Sequence, residues 1–157
     1  MRLLSAAALA TLIALPALAQ NAASPRQAEF AAAASLPAAP NAKNPPAPGD
    51  TVYFTFKQTY LTKNAVEVVQ RQAAWLKQNA GAKVILECHT DDEFPPDYAL
   101  SFGEARCQQV ERILMKAGIE AGRIKALSYG NQRPVVANAT TKEDHAKNRR
   151  VVTRIVE

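Results

Sequence analysis

The sequence predicts an α/β domain over residues 51–157, in which helices cover one face of a four-stranded sheet. Two observations predict this fold class. Four short segments are apolar or alternate apolar and polar residues, as strands do, and two longer segments repeat apolar residues every three or four positions, as helices do. Because strand-like and helix-like segments interleave along the chain, the predicted architecture is a two-layer α/β sandwich.

The first half of the domain is predicted to form a strand, a helix and a second strand. Residues 51–56 alternate valine with aromatic residues, which is typical of a strand. Residues 63–79 repeat apolar residues at helical spacing, and residues 83–89 form a second strand-like run. The core-facing stripe of this helix consists of Ala65, Val69, Ala73 and Leu76.

The second half is predicted to form another helix and two more strands. The helix begins near Ser101, because Ser101 and Glu104 have the spacing of a capping box, and it ends at Gly118. Its core-facing stripe consists of Cys107, Val110, Leu114 and Ala117. The segments that follow are a third strand, a long connection and a fourth strand that alternates valine with arginine or threonine, at residues 123–129, 130–147 and 149–156.

The N-terminus is predicted to be a secretion signal followed by a linker. Residues 1–19 start with a positive charge, continue with an apolar run and end in Ala-Leu-Ala, which is the pattern of a signal peptide cleaved before Gln20. The apolar run is too short to span a bilayer. Residues 20–50 are rich in alanine and proline and poor in large apolar residues, which is typical of a disordered tether.

The cysteines bear on where the mature chain is held. A lipid-anchored protein needs a cysteine at the cleavage point, whereas the cysteines of this sequence are Cys88 and Cys107. We therefore expect a soluble periplasmic product without a transmembrane segment, whose association with the outer membrane would go through partner proteins.

The charge is modest and does not favour nucleic acid as a partner. The formal net charge is +5, and no run of lysine and arginine is longer than two residues. Basic segments interleaved with aromatic residues, as in proteins that stack on bases, are absent from the sequence. A secretion signal also argues against nucleic acid, so attraction to anionic wall polymer or lipid headgroups is the preferred interpretation.

The sequence favours neither an enzyme nor a metal site. Cys88 and His89 are neighbours on a predicted strand and so point to opposite faces, which argues against a thiol–imidazole dyad. His145 has no nucleophile near it in sequence. The acidic segment after the second strand lacks the ligand spacing of a zinc or calcium motif; its candidate ligands are His89, Asp91, Asp92, Glu93 and Asp97.

Three segments together carry a resemblance to a known family. They are His89-Thr90-Asp91, the stretch from Tyr98 to Cys107, and Asn148-Arg149-Arg150-Val151. With the Val-Tyr-Phe-Thr-Phe strand at residues 52–56 and Ser-Tyr-Gly at residues 128–130, they resemble the OmpA-like peptidoglycan-binding domains over roughly residues 52–155. The resemblance implies a mixed four-stranded sheet with two main helices on one face, and a wall-binding module that is not an enzyme and needs no cofactor or metal.

The resemblance also implies a ligand and a site. The ligand is the peptide stem of peptidoglycan, at meso-diaminopimelate, whose free end carries an ammonium and a carboxylate on one carbon. Asp91 would bind the ammonium, and Arg106, whose planar fork suits a carboxylate, would bind the other group. Arg106 is placed in the first turns of its helix, where the helix dipole would add to anion binding. The full set of implied ligand-binding residues is Asp91, Arg106, Phe56, Lys57, Phe102, Arg149 and Arg150. On a strand, one of the last two should face the site and the other the opposite face.

Four positions depart from the family's pattern near the implied ligand. Cys88 and Phe94 stand where the family has glycine, Ala99 where it has asparagine, and Lys57 where it has aspartate or asparagine. Lys57 would repel the ammonium of diaminopimelate, and Phe94 would fill part of the pocket. The alternative function is therefore a protein–protein interaction module for another envelope component, with wall binding altered or lost.

Cys88 and Cys107 stand where the family has small residues, at the end of the second strand and on the helix packed against it. A disulfide between them is predicted, because the periplasm is oxidising and the number of cysteines is even. Two buried thiols are the alternative.

Overall fold

The structure is a computed structural model that describes residues 51–156. The predicted signal peptide (residues 1–19) and linker (residues 20–50) lie outside the described residues. Within the described range the chain forms four strands, three helices and one 3-10 turn. In chain order these are β1 (Thr51–Tyr53), α1 (Lys63–Gln78), β2 (Lys83–His89), α2 (Pro96–Lys116), the 3-10 turn (Ala121–Arg123), β3 (Ile124–Gly130), α3 (Lys142–Asn148) and β4 (Arg150–Val156).

The four strands form one mixed sheet in the order β1-β4-β2-β3. β2 and β3 run parallel, with Val84 opposite Ile124. β4 is antiparallel to both of its neighbours and pairs Val151 with Val52 on one side and with Cys88 on the other. The predicted α/β class with a mixed four-stranded sheet is therefore confirmed.

The hydrophobic core lies between the sheet and helices α1 and α2. Alternate residues of each strand point into it, because successive strand side chains face opposite sides of the sheet. The fully buried apolar residues of this layer include Val69 and Leu76 of α1, Val84 and Leu86 of β2, Val110 and Leu114 of α2, and Val151 of β4. Both predicted helical stripes therefore face the core. One polar contact crosses this layer, where Thr153 donates a hydrogen bond to Gln72 at 3.0 Å.

Helix α2 begins earlier than the sequence predicted. It starts at Pro96, with Pro95 as the capping residue, and Ser101 lies inside it, where its hydroxyl donates to the Tyr98 carbonyl at 2.9 Å. The capping-box interpretation of Ser101 was wrong, because proline is well tolerated in the first turn of a helix, where its missing N–H leaves no bond unmade. Gly118 does end the helix, with φ of +92°.

Strand β1 is shorter than predicted. It ends at Tyr53, although the Phe54 N–H still donates to the Arg149 carbonyl at 2.9 Å, in the register of the β1–β4 pairing. A tight turn over residues 55–58 follows, closed by a hydrogen bond from Gln58 N to Thr55 O at 3.1 Å. This turn, not a strand, carries Phe56 and Lys57.

Helix α3 was missed in the predicted connection between the last two strands. It has seven residues and no apolar stripe, so hydrophobic periodicity did not indicate it. The signal was its cap: the Thr141 hydroxyl accepts from Asp144 N at 3.1 Å. The helix brings His145 Nδ1 to 3.0 Å from Asp92 Oδ1, beside the loop that follows β2.

Candidate functional site

Asp91 is the centre of a buried charged cluster that consists of Asp91, Arg106 and Arg149. It lies just after β2, and its side chain is fully buried. Its Oδ2 accepts a hydrogen bond from Arg149 Nη1 at 2.8 Å. Its Oδ1 is also buried but has no hydrogen-bond partner among residues 51–156. A buried carboxylate oxygen without a donor is uncommon, so this atom needs an explanation.

Arg149 joins three parts of the chain at this cluster. It precedes β4, and its Nε donates to the Phe54 carbonyl at 3.1 Å while its Nη1 binds Asp91. Its guanidinium carbon lies 5.8 Å from the centre of the Phe56 ring. Arg149 therefore holds the end of β1 against the loop after β2. Of the two C-terminal arginines, it is the one that faces the predicted site.

Arg106 is fully buried in the middle of α2. The resemblance had placed it in the first turns of that helix. Its guanidinium donates to three backbone carbonyls, those of Gln58 at 3.1 Å, His89 at 3.3 Å and Thr55 at 3.4 Å. The helix dipole thus adds nothing to anion binding at this position, because the dipole acts mainly in the first and last turns. Arg106 instead anchors the turn after β1 to the end of β2.

Two aromatic rings enclose the Arg106 guanidinium. Its central carbon lies 5.0 Å from the Phe54 ring centre and 4.9 Å from that of Phe102. Burial lowers the pKa of Arg106 to about 10; Asp91 raises that pKa and Arg149 lowers it. Arg106 therefore remains a cation at neutral pH in spite of its burial.

The structure does not make Asp91 and Arg106 a directly bonded pair. Among the described residues, the salt-bridge partner of Asp91 is Arg149, and the donors of Arg106 go to backbone carbonyls. Asp91 and Arg106 still interact through space, because the carboxylate raises the pKa of the guanidinium. The arrangement is one carboxylate beside two buried cations.

The turn after β1 forms an exposed rim near this cluster. Phe56 is 39% exposed, and Lys57 has a left-handed backbone conformation with φ of +54°. The Lys57 ammonium lies 4.9 Å from the Phe56 ring centre, so this ring is approached both by Lys57 and by Arg149.

A second group of aromatic residues adjoins Arg106 from the side of α2. The Phe102 ring contacts Arg106, and it also packs against Phe94 at 4.9 Å and Tyr98 at 5.7 Å between ring centres. Phe94, a departure from the family's pattern, therefore lies against Phe102. Ala99, another departure, is buried, and its backbone lies against Gly130 at the end of β3.

Arg150 is not part of the charged cluster, contrary to its inclusion among the candidate ligand-binding residues. As the alternation of a strand requires, it points to the other face of the sheet, where it donates to the carbonyls of Asn148 at 3.4 Å and Arg133 at 3.3 Å. His89 lies on that face too, with its ring 5.4 Å from that of Tyr129. Burial, and then the charges of nearby arginines, lower the pKa of His89 to about 3.

Asn148 has a role that the sequence reasoning did not identify. This buried residue accepts hydrogen bonds from the backbone of Val135 at 2.9 Å and Val136 at 3.0 Å, and it donates to the Val136 carbonyl at 2.9 Å. It therefore holds the β3–β4 connection immediately before Arg149. The available signal was its place directly before two arginines, in the segment Asn148-Arg149-Arg150-Val151.

Cys88 and Cys107 form a disulfide, with their Cα atoms 5.8 Å apart. The bond joins the end of β2, three residues before Asp91, to α2, which carries Arg106. Each cysteine is fully buried.

In the part of the chain that the structure describes, no three His, Cys, Asp or Glu side chains are grouped so that they could hold a metal ion. Over the same residues, none of the helices has the length and apolar character needed to cross a membrane.

Comparison with known proteins assigns the chain to a family. The model of the OmpA family matches residues 53–149, which contain all three members of the charged cluster. The chain belongs to the OmpA family.

The OmpA-family relatives include peptidoglycan-associated lipoproteins. That of Haemophilus influenzae is 34% identical over 103 residues, which are 66% of this chain and 67% of the relative. That of Legionella pneumophila is 37% identical over 107 residues, which are 67% of this chain and 60% of the relative.

Two solved structures agree with the fold. The peptidoglycan-associated lipoprotein from Burkholderia pseudomallei matches with a TM-score of 0.66 and 26% identity, covering 69% of this chain and 91% of that one. The C-terminal domain of Helicobacter pylori MotB matches with a TM-score of 0.63 at 19% identity, covering 69% and 84% of the two chains, and so supports the fold alone.

Proposed function

We propose that this OmpA-family domain binds peptidoglycan non-covalently in the cell envelope, through the diaminopimelate of the peptide stem. The observation that carries the proposal is the buried Oδ1 of Asp91, which lacks a donor within the described residues. The ammonium of diaminopimelate is a charged donor, and a charge-assisted bond to this oxygen would satisfy it. The names of the relatives, which are peptidoglycan-associated lipoproteins, support peptidoglycan as the partner.

The carboxylate of the same head group needs a positive partner beside Asp91. Arg149 is bonded to Asp91, and the Arg106 guanidinium acts on the same carboxylate through space. An ammonium and a carboxylate on one carbon can therefore meet opposite charges a few ångströms apart. Because these groups are already fixed by hydrogen bonds to the backbone, binding needs little further ordering of the site.

Ligand binding requires a side chain beside the cluster to move, because Asp91 is closed to solvent. Phe56 is the candidate in this proposal. It is partly exposed, it lies on a turn, and its ring lies 5.8 Å from the guanidinium carbon of Arg149. The ring would move aside while the backbone of the turn stays bonded to Arg106.

The location belongs to the proposal as well. A signal peptide at residues 1–19 would deliver the chain to the periplasm, and the linker at residues 20–50 would let the domain reach the wall while other envelope proteins hold the chain near the outer membrane. Peptidoglycan is the proposed partner, and the function serves the integrity of the envelope.

Co-sedimentation with purified peptidoglycan sacculi tests the proposal. We expect the wild-type protein in the pellet and a roughly ten- to hundredfold weaker affinity for Asp91→Asn, because the ammonium would then face a neutral amide. Asp97→Asn is the matched control, since Asp97 is exposed in the first turn of α2, and it should sediment like the wild type. Wild-type protein that stays in the supernatant would refute wall binding.

A protein-interaction module is the second candidate, and exposed aromatic residues favour it. Tyr60 is 61% exposed and Tyr98 is 52% exposed, and tyrosine is enriched in protein interfaces. Absence of sedimentation, together with capture of an envelope protein that Tyr98→Ala abolishes, would support this function in place of wall binding.

A further inference from the structure

Lys57 and Arg149 present two cations to one aromatic ring at the rim of the charged cluster. The Lys57 ammonium is 4.9 Å and the Arg149 guanidinium carbon 5.8 Å from the Phe56 ring centre. Arg149 is in turn bonded to Asp91. The contacts of Lys57 with Phe56, of Phe56 with Arg149 and of Arg149 with Asp91 therefore lead from the exposed ammonium to the buried carboxylate, which places Lys57 on the rim of the site.

The backbone at Lys57 is unfavourable for a lysine. Its φ of +54° places it in the left-handed region, which glycine, asparagine and aspartate tolerate but a long side chain enters at a cost. Such a conformation is held by its surroundings, here by the bonds from Arg106 to the carbonyls of Thr55 and Gln58 on either side. The backbone conformation at Lys57 is therefore set by the fold and not by the preference of the lysine.

The charges near the ligand position do not balance. One carboxylate, Asp91, stands with two buried cations, Arg106 and Arg149, and Lys57 adds a third positive charge on the exposed rim. The zwitterionic head group of diaminopimelate is neutral overall, so it leaves the excess of positive charge in place. A ligand with one more negative charge near the head group would offset it.

We infer that Lys57 is a specificity residue that makes this domain prefer peptide stems with a free carboxylate beside the diaminopimelate head group over stems in which that carboxylate is amidated. The inference rests on the proposed function and names the form of ligand for the same site. The lysine thereby selects an acidic stem and does not abolish binding. Because it is exposed, its contribution is moderate and falls as salt rises.

Calorimetric titration of the whole protein with two ligands tests this inference. One is a diaminopimelate muropeptide with all carboxylates free, and the other is the same muropeptide with the carboxylates outside the head group amidated. We expect wild type to bind the free acid roughly three- to fivefold more tightly at low salt. Lys57→Asn, which suits the left-handed backbone, should lose this preference, and Lys57→Arg should keep it. Lys116→Gln, at the far end of α2, is the control and should behave as wild type.

The outcomes separate this inference from the proposed function. If wild type binds both muropeptides with equal affinity, or if Lys57→Asn keeps the preference, the role of Lys57 is refuted while wall binding stands. If wild type binds neither muropeptide, wall binding and the role of Lys57 both fall. Asparagine at position 57 relieves backbone strain, so loss of folding in that variant is not expected and would itself contradict the description of this turn.

Discussion

Arg149 binds Asp91 across 58 positions of sequence, by a 2.8 Å hydrogen bond between two buried side chains. The same arginine donates to the carbonyl of Phe54, which is 95 positions away. One side chain thus connects the end of β1, the loop after β2 and the start of β4. Because both charges are buried, the pair bears on folding as well as on the proposed binding.

Replacing Arg149 by methionine should destabilise the protein by about 3 kcal/mol, because it removes the salt-bridge partner of the buried Asp91 carboxylate. Arg154→Met is the matched control. It breaks the partly exposed pair of Arg154 with Glu87, at 3.2 Å, and should cost at most about 1 kcal/mol. Urea denaturation of both variants measures the difference. Equal losses of stability in the two variants would show that the Asp91–Arg149 pair contributes no more than the Arg154–Glu87 pair.

His89 should make the protein sensitive to acid. Its pKa is lowered from 6.5 to about 3 by burial and by nearby arginines, so the folded state keeps it neutral while the unfolded state takes up a proton below pH 6.5. The resulting stability is fully present above pH 6.5 and is lost as the pH falls toward 3.

Replacing His89 by phenylalanine removes this titration and keeps a ring against Tyr129. Between pH 7 and pH 4.5, wild type should lose about 2 to 3 kcal/mol more stability than His89→Phe. Urea denaturation at the two pH values measures this. All carboxylates titrate alike in both proteins, so parallel losses would contradict the buried, neutral state of His89.

The disulfide between Cys88 and Cys107 should contribute about 3 kcal/mol to stability, since it closes a segment with a sequence separation of 19. The Cys88→Ala/Cys107→Ala variant should unfold at correspondingly lower urea, and reductant should weaken wild type but leave the variant unchanged. Alkylation of unreduced, denatured wild type should label no cysteine. Two labelled thiols would exclude the bond.

Gly103 should not tolerate a methyl group, because a Cβ there would lie 2.3 Å from the Ser128 hydroxyl oxygen. That hydroxyl is held by its bond to the Leu100 carbonyl at 2.7 Å and has little room to turn. We expect Gly103→Ala to cost about 1 to 3 kcal/mol, in spite of the better helix propensity of alanine.

A double-mutant cycle with Ser128→Ala tests the contact directly. Ser128→Ala removes the clashing atom, so Gly103→Ala should cost less in its presence, and the double variant should be more stable than the sum of the single effects predicts. Strict additivity in thermal denaturation would show that the close approach is not the cause.

Elements with a long apolar repeat were predicted accurately. The predicted bounds of β2 agree with Lys83–His89, and those of α1 differ by one residue at its end, because burial on one face imposes a periodicity that is visible in the chain itself. The start of α2 and the whole of α3 were not predicted. Their limits depend on a proline pair and a threonine cap, which are weaker signals than a hydrophobic stripe.

The candidate site was only partly accessible from the sequence. The resemblance selected Asp91, Arg106 and Arg149, which the fold does bring together. Strand alternation predicted that the side chains of Arg149 and Arg150 would face opposite sides of the sheet. The sequence did not indicate that the guanidinium of Arg106 would donate to backbone carbonyls, or that Phe56 would lie on a turn beside Lys57.

The sequence alone determined the class of fold, the faces of the helices and strands, and the residue types available for a charged site. Tertiary structure alone decided which charged side chains pair with each other, and which carboxylate oxygen has no hydrogen-bond donor within the described residues. The physical reason is the sequence separation over which each effect acts. Hydrophobic periodicity acts between residues a few positions apart, whereas the partners of Asp91 and Arg106 are set by the packing of distant segments against one sheet, and only the folded chain brings them within bonding distance.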